Sequence, residues 1–332
     1  MKGANVSIFV SHFGCPQKCT FCNQHSITGA YGDVIENAKS AIAIARQSLG
    51  ENSRNAEIAF FGGSFTAIDE QYMKTLLALA YEHVKTGEFK GIRISTRPDK
   101  ISAEILDVLK SYGVTAIELG AQSMSDRVLS MNRRGHDSAC VEAASRLIKE
   151  YGFELGLQMM TGMYGSDDET DVETARRIIA LSPDTVRIYP TVVIENTELC
   201  ELYRDGVYCP PSLEGSVELC ARLMMMFESE GIRVIRLGLH SGGGVEESYV
   251  AGVYHPAFRE LCESRIYLEN AQNILLGTEK GKKTLYVAGG CLSKMIGQRR
   301  ANLEALKESG FDCTVKERTG LNKYEVQSGE SE

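Results

Sequence analysis

No stretch of this sequence approaches the roughly 20 consecutive apolar residues needed to span a bilayer, and tryptophan is absent. The opening residues, MKGANVSIFVSHFGC, hold one lysine and a short apolar run, well below the roughly 7 to 15 apolar residues of a secretory signal. The expected location is therefore the cytoplasm, with no membrane partner. Thiols stay reduced there, so the 10 cysteines are not expected to form a disulfide framework. Positive charge is also in deficit: 36 Lys+Arg stand against 44 Asp+Glu, a net charge of −8. With 43% apolar residues in 332, the composition excludes collagen-like, disordered and disulfide-stapled classes and leaves a globular protein with a large core.

What is present is an alternation. Short apolar, β-rich runs at 5–10, 57–63, 91–97, 114–120, 153–160, 185–193 and 232–239 are separated by segments with apolar residues three and four apart, such as Val141, Ala144, Leu147 and Ile148. That spacing marks one face of a helix. Ser166 to Glu169 reads as a capping box and Gly231 as the stop of a helix through Leu223 and Phe227. Continuous apolar strands alternating with amphipathic helices predict an α/β fold, a parallel sheet covered by helices. The expectation is a complete or partial TIM-type β/α barrel of about six units over residues 1–240. After a glycine-rich loop (Gly242, Gly243, Gly244) the period breaks. Residues 241–332 are expected to form a small C-terminal α+β domain: a helix carrying Phe258, Leu261, Ile266 and Leu268, a strand at TLYVA, one helix from about Leu292 to Ser309, and two short strands.

Chemistry concentrates just after the first strand, where Cys15, Cys19 and Cys22 follow a C-x3-C-x2-C spacing. Three thiolates on one loop hold three irons of a cubane cluster and leave the fourth open to a small molecule. The alternative is a zinc knuckle, because His25 adds a histidine to the three cysteines. A loop on strand one of a barrel lies where catalytic loops gather, which favours the cluster.

The segment CPQKCTFC resembles the radical S-adenosylmethionine (SAM) superfamily, and the resemblance spans roughly residues 5 to 237. It implies a [4Fe-4S] cluster on Cys15, Cys19 and Cys22 whose free iron chelates the methionine amino and carboxylate groups, with Phe21 against the adenine. Gly62-Gly63-Ser64-Phe65-Thr66 is similar to the family's glycine motif, where a missing Cβ lets backbone approach the methionine amino group. The commonest form ends in Glu, and Ser64 instead resembles the branch related to the catalytic subunit of Elongator. By the same resemblance, Gln122 and Gln158 are candidates for the ribose hydroxyls, and Arg97 or Arg134 for the methionine carboxylate. Arg134 lies in an Arg-Gly-His segment typical of that branch, with Arg133 as a less favoured partner. The acetyltransferase domain of Elongator's subunit is not expected in this sequence. The implied reaction is one-electron reductive cleavage of SAM to methionine and a 5′-deoxyadenosyl radical that abstracts hydrogen, with no catalytic residue assigned beyond the cluster. The implied partner is an electron donor such as flavodoxin or ferredoxin. No second cysteine cluster is seen, so one cluster is expected.

Two substrate classes remain open: RNA, in particular tRNA, and a small molecule, as in the related coproporphyrinogen dehydrogenases. Tyr189, His240 and His255 are candidates to line the substrate cavity. From Lys280 to Arg300 there are basic residues and no acidic one, and Lys282, Lys283, Lys294, Arg299 and Arg300 are candidate nucleic-acid contacts, since counterion release depends on local rather than total charge. Gly297-Gln298-Arg299-Arg300 is similar to the Gly-x-x-Gly loop with which KH domains clamp nucleotides, with Arg300 in place of the second glycine.

Overall fold

The computed structural model describes residues 4–10, 19–23, 33–239 and 245–330. The chain divides into two compact units, residues 1–211 with 227–253, and residues 212–226 with 254–332.

The first unit is built on a seven-stranded parallel sheet that curls into a partial β/α barrel. Its strands are β1 (Asn5–Val10), β2 (Glu57–Gly62), β3 (Gly91–Thr96), β4 (Val114–Gln122), β5 (Glu154–Thr161), β6 (Thr185–Pro190) and, after a short strand β7 (Val192–Ile194), β8 (Arg233–Leu237), in the order β1-β2-β3-β4-β5-β6-β8. Between them run helices α1 (Val34–Leu49), α2 (Glu70–Lys85), α3 (Ala103–Ser111), α4 (Asp126–Met131), α5 (Ser138–Glu150), α6 (Asp168–Ala180) and α7 (Glu198–Arg204), while α8 (Leu213–Ser229), which precedes β8 in the chain, has most of its residues in the second unit. Every residue of β3 is buried, as expected for a strand flanked on both faces. The stripe on α5 buries Val141, Ala144 and Ile148, so the three-and-four spacing does mark the helix face that meets the sheet.

Local chemistry corrects two sequence expectations here. Asp167, one residue beyond the anticipated Ser166, caps α6 by accepting the Thr170 N–H; the Ser166 hydroxyl is drawn away to the Asp171 carboxylate. The run 185–193 is not one strand, because both the N–H and the hydroxyl of Thr191 donate to the Thr161 carbonyl. Beyond that kink, β7 leaves the sheet to pair antiparallel with β9 (Tyr249–Gly252), which follows the four-residue helix α9 (Val245–Ser248).

The second unit holds α10 (Phe258–Leu275), β10 (Gly281–Val287), α11 (Leu292–Ile296), α12 (Ala301–Glu308), β11 (Phe311–Glu317) and β12 (Val326–Glu330). Its three-stranded sheet has the order β11-β10-β12, with β11 parallel and β12 antiparallel to the central β10. Tyr267 is buried on α10 and its hydroxyl accepts the Tyr324 N–H at 3.0 Å. The single helix expected over 292–309 is broken: Gly297, Arg299 and Arg300 all have positive φ, at 79°, 53° and 66°.

Candidate active site

Cys19 and Cys22 are described; Cys15 and the alternative zinc ligand His25 lie outside the described residues. Cys19 is 9% exposed, and its carbonyl accepts the Cys22 N–H at 3.1 Å. Thr20 fixes the segment from both sides. Its hydroxyl donates to Asn132 Oδ1 at 2.8 Å, its N–H donates to the Asn132 carbonyl, and its own carbonyl accepts the Leu199 N–H. Asn132 is fully buried and its Nδ2 donates to the carbonyls of Val128 and Tyr164. Phe21 packs with Tyr164 and Tyr203 against the cluster of Val193, Leu199, Cys200 and Tyr208.

Arg134, 7% exposed, reaches this segment. Its Nη1 donates to Cys19 Sγ at 3.2 Å and its Nη2 to the Gly120 carbonyl at 2.7 Å. A Cβ on Gly120 would stand 2.9 Å from Gln122 Nε2 and 3.4 Å from Arg134 Nη2, so the glycine clears the path of the guanidinium. Arg97 supports the arrangement, donating to the Arg134 carbonyl at 2.7 Å and to Asp99 at 2.8 Å. The neighbouring Arg133 is exposed and pairs with Glu198 at 2.7 Å, away from the buried group.

At the end of β2, Gly62 takes a φ of 110°, and a Cβ there would come within 3.1 Å of the Val10 carbonyl oxygen. The Gly63 N–H donates to that same oxygen, so the glycine pair ties the end of β2 to β1. Ser64, fully buried, meets the Thr96 hydroxyl at 2.9 Å and accepts the Arg97 N–H at 3.3 Å. Thr66 meets Thr96 as well, at 2.6 Å, and donates to the Lys100 carbonyl. Thr96 is the hub of three hydroxyls, a role the sequence did not reveal because Ser64 and Thr66 reach it from the end of a different strand.

Gln122 sits in an irregularity of β4 between Gly120 and Gln122, at a φ of 67°. Its Oε1 is buried without a hydrogen-bond partner, as are Ser95 Oγ, Arg134 Nε and His136 Nδ1. Burial, then the Arg134 cation beside it, holds His136 down to about 4, so its ring is neutral at pH 7. Gln158 is committed elsewhere: its Nε2 donates to Glu118 at 3.1 Å. Glu118 belongs to a buried charge network that sequence reading also overlooked. Arg93 reaches Glu57, Glu118 and Glu154, and Arg187 pairs with Glu118 at 2.6 Å while stacking over the Phe61 ring. The signal was a lone charge inside each of three apolar strands. Tyr189 stands at the edge of this network, 3.5 Å from Arg187; His240 lies outside the described residues.

In the second unit the basic residues differ in their settings. Lys294 pairs with Glu263 on α10. Arg300 opens α12, whose far end adjoins β10 through the Gly281 N–H and the Gly310 carbonyl. Eight residues of helix, about 12 Å, therefore separate Arg299 and Arg300 from Lys282 and Lys283.

A parallel half-barrel carrying paired cysteines beside a buried arginine at its strand ends defines a class: the chain belongs to the radical SAM superfamily, whose family model matches residues 9–178. A second model, the Radical_SAM C-terminal domain, matches residues 183–268. Within the superfamily, human Elongator complex protein 3 is 32% identical over 240 residues, 66% of this chain and 43% of that protein. The tRNA uridine(34) acetyltransferase of Methanocaldococcus jannaschii is 28% identical over 257 residues, 65% of this chain and 47% of that one. The chain thus spans about half the length of the curated relatives it matches. Among solved structures, Elp3 of Methanocaldococcus infernus aligns with a TM-score of 0.66 at 23% identity, over 80% of this chain and 63% of that one. Coproporphyrinogen III oxidase of Escherichia coli aligns at 0.50 and 19%, over 69% and 52%. The expected family and fold are therefore found, and the chain is an enzyme of that superfamily, which requires a reductant.

An iron-sulfur cluster and SAM are inherent to the family. The residues fit such a group: two thiols on one turn, one under a guanidinium, and buried polar atoms of Ser95, Gln122, Arg134 and His136 without a hydrogen-bond partner. Buried groups left unpaired are costly, and a polar ligand seated there would satisfy them. No helix among the described residues is long and apolar enough to cross a membrane.

Proposed function

We propose that the chain modifies RNA, with tRNA as the substrate class, by radical SAM chemistry. The observation that carries the reading is the buried Arg134–Cys19 contact amid unsatisfied polar atoms, together with relatives that are themselves named tRNA uridine(34) acetyltransferases. Cys15, Cys19 and Cys22 hold the cluster; Gly62, Gly63, Ser64, Gln122 and Arg134 line the SAM subsite, with Arg97 holding Arg134 in place, Phe21 beside the adenine, and Gln158 at its margin. When bound, the pair supplies one-electron reductive cleavage of SAM and, through it, hydrogen abstraction from the substrate. The protein's own contribution is chelation, orientation and exclusion of water. Arg134 Nε, a buried donor without a partner, is the group available to a carboxylate, while neutral His136 offers Nδ1 as an acceptor if its other nitrogen donates to the Ala121 carbonyl. Flavodoxin or ferredoxin supplies the electron, the setting is the cytoplasm, and the first unit carries the chemistry while the second assists.

The test is 5′-deoxyadenosine formation by anaerobically reconstituted protein with tRNA, and separately with coproporphyrinogen. Stimulation by tRNA is expected, as is complete loss in Cys19→Ala. Wild-type turnover by Cys19→Ala, or stimulation by the porphyrinogen alone, overturns the reading.

A further inference from the structure

The second unit contains a β-α-α-β succession, β10, α11, α12 and β11, with β12 on the other side of β10. The chain between its two helices, Gly297 to Arg300, is fixed with unusual care. A Cβ on Gly297 would lie 2.9 Å from the Asn302 backbone nitrogen, so the turn closes tightly on the start of α12. Asn302 is 5% exposed, and its Nδ2 donates to the carbonyls of Ser264 on α10 and of Lys294 and Met295 on α11. One buried amide thus ties the start of α12 to α10 and α11.

From this rigid base two arginines project. Arg299 and Arg300 are exposed, and neither has an ion-pair partner among the described residues. Both hold left-handed backbone, a conformation that glycine adopts without strain and arginine does not. The Arg300 side chain makes no capping bond to α12. The sequence from Lys280 to Leu303 contains no acidic residue that could neutralise them locally. Each guanidinium is a planar fork that can take two phosphate oxygens at once, and a pre-ordered turn lowers the cost of ordering the site on binding. Of the remaining lysines, Lys294 is paired, and Lys282 and Lys283 stand beside the other end of α12, about 12 Å along the helix. The footprint is therefore a few nucleotides of flexible single strand rather than a duplex.

We propose that the Gly297–Arg300 turn grips the phosphodiester backbone of single-stranded RNA, the second unit serving to hold the substrate of the first. This deepens the RNA reading above and rests on it for the identity of the polyanion.

The test uses the full chain and fluorescence anisotropy with a fluorescein-labelled eight-nucleotide single-stranded RNA. The double variant Arg299→Glu, Arg300→Glu is expected to weaken binding at least tenfold, while Lys282→Glu, Lys283→Glu stays within twofold of wild type. Arg300→Gly separates fold from function: relief of the left-handed arginine raises the melting temperature by about 2 °C, yet binding weakens severalfold. Unchanged affinity in the double variant, or equally tight binding of an octa-aspartate peptide, overturns the proposal. 5′-Deoxyadenosine formed by the same preparation without RNA reports independently on the radical SAM reading. Its presence with no RNA binding defeats only the grip, and its absence with binding intact defeats only the radical chemistry.

Discussion

Arg134 commits its guanidinium to a sulfur and a carbonyl; on the proposal that Cys19 holds the cluster, it tunes the charge on that ligand. Hydrogen bonds to cluster sulfurs and nearby charge set reduction potentials, and both stabilise the more negative, reduced state. Arg134→Gln is therefore expected to lower the midpoint potential by on the order of 50 mV, close to the 59 mV that accompanies a tenfold change in a one-electron equilibrium. Arg134→Lys should recover part of the shift. Redox titration followed by electron paramagnetic resonance reads it, and an unmoved potential would show the contact to be structural. His136 and Asp171 make a second prediction at this scale. The fold keeps His136 neutral down to about 4, so from pH 6.5 downward the unfolded chain binds a proton that the folded one refuses, and stability falls. Burial pushes Asp171 up to about 6, so the folded chain takes its proton first and stability rises as pH falls from 6 toward 4. The two slopes oppose. His136→Gln should therefore gain stability relative to wild type as pH falls from 6.5 to 4, and Asp171→Asn should lose it, in thermal melts across that range.

The elements themselves were largely legible, because strands buried on both faces read as unbroken apolar runs and helices as stripes. What escaped was chemistry acting across sequence distance. Nothing near Thr96 announces that Ser64 and Thr66, some thirty residues earlier, converge on its hydroxyl, although the Gly62–Thr66 motif was visible. Thr96→Val keeps the shape and leaves two buried hydroxyls short of a partner, a loss of roughly 1–3 kcal/mol to be read by chemical denaturation; a smaller change would mean that the hydroxyls re-pair. Similarly, the break between α11 and α12 was hidden because arginine is a good helix former and a lone glycine costs a helix only about 1 kcal/mol. The decisive interaction is Asn302 reaching back to Ser264, Lys294 and Met295, and its side-chain geometry is not written in helical periodicity. The contact between Arg134 and the Cys19 sulfur was not legible either, since it joins residues more than a hundred positions apart and spacing reveals candidate ligands more readily than their hydrogen-bond partners.

Over the whole molecule, charge is distributed against its own total. The first unit buries Glu57, Arg93, Glu118 and Arg187 in mutual contact, where removing one partner leaves an uncompensated charge that is worth several kcal/mol. The surface carries the net −8, which opposes any polyanion at long range and is itself screened by salt. An RNA held only at Arg299 and Arg300 must therefore obey two competing salt effects. Release of counterions from two single-strand phosphates gives a slope of about −0.7 each, near −1.4 in total, and screening of the acidic surface pulls it toward zero. The expected slope of log affinity against log salt is thus shallow, between about −0.5 and −1.4, and the double variant Arg299→Glu, Arg300→Glu should flatten it. A slope several times steeper, measured from 50 to 200 mM salt, would require more phosphate contacts than the arginine pair supplies.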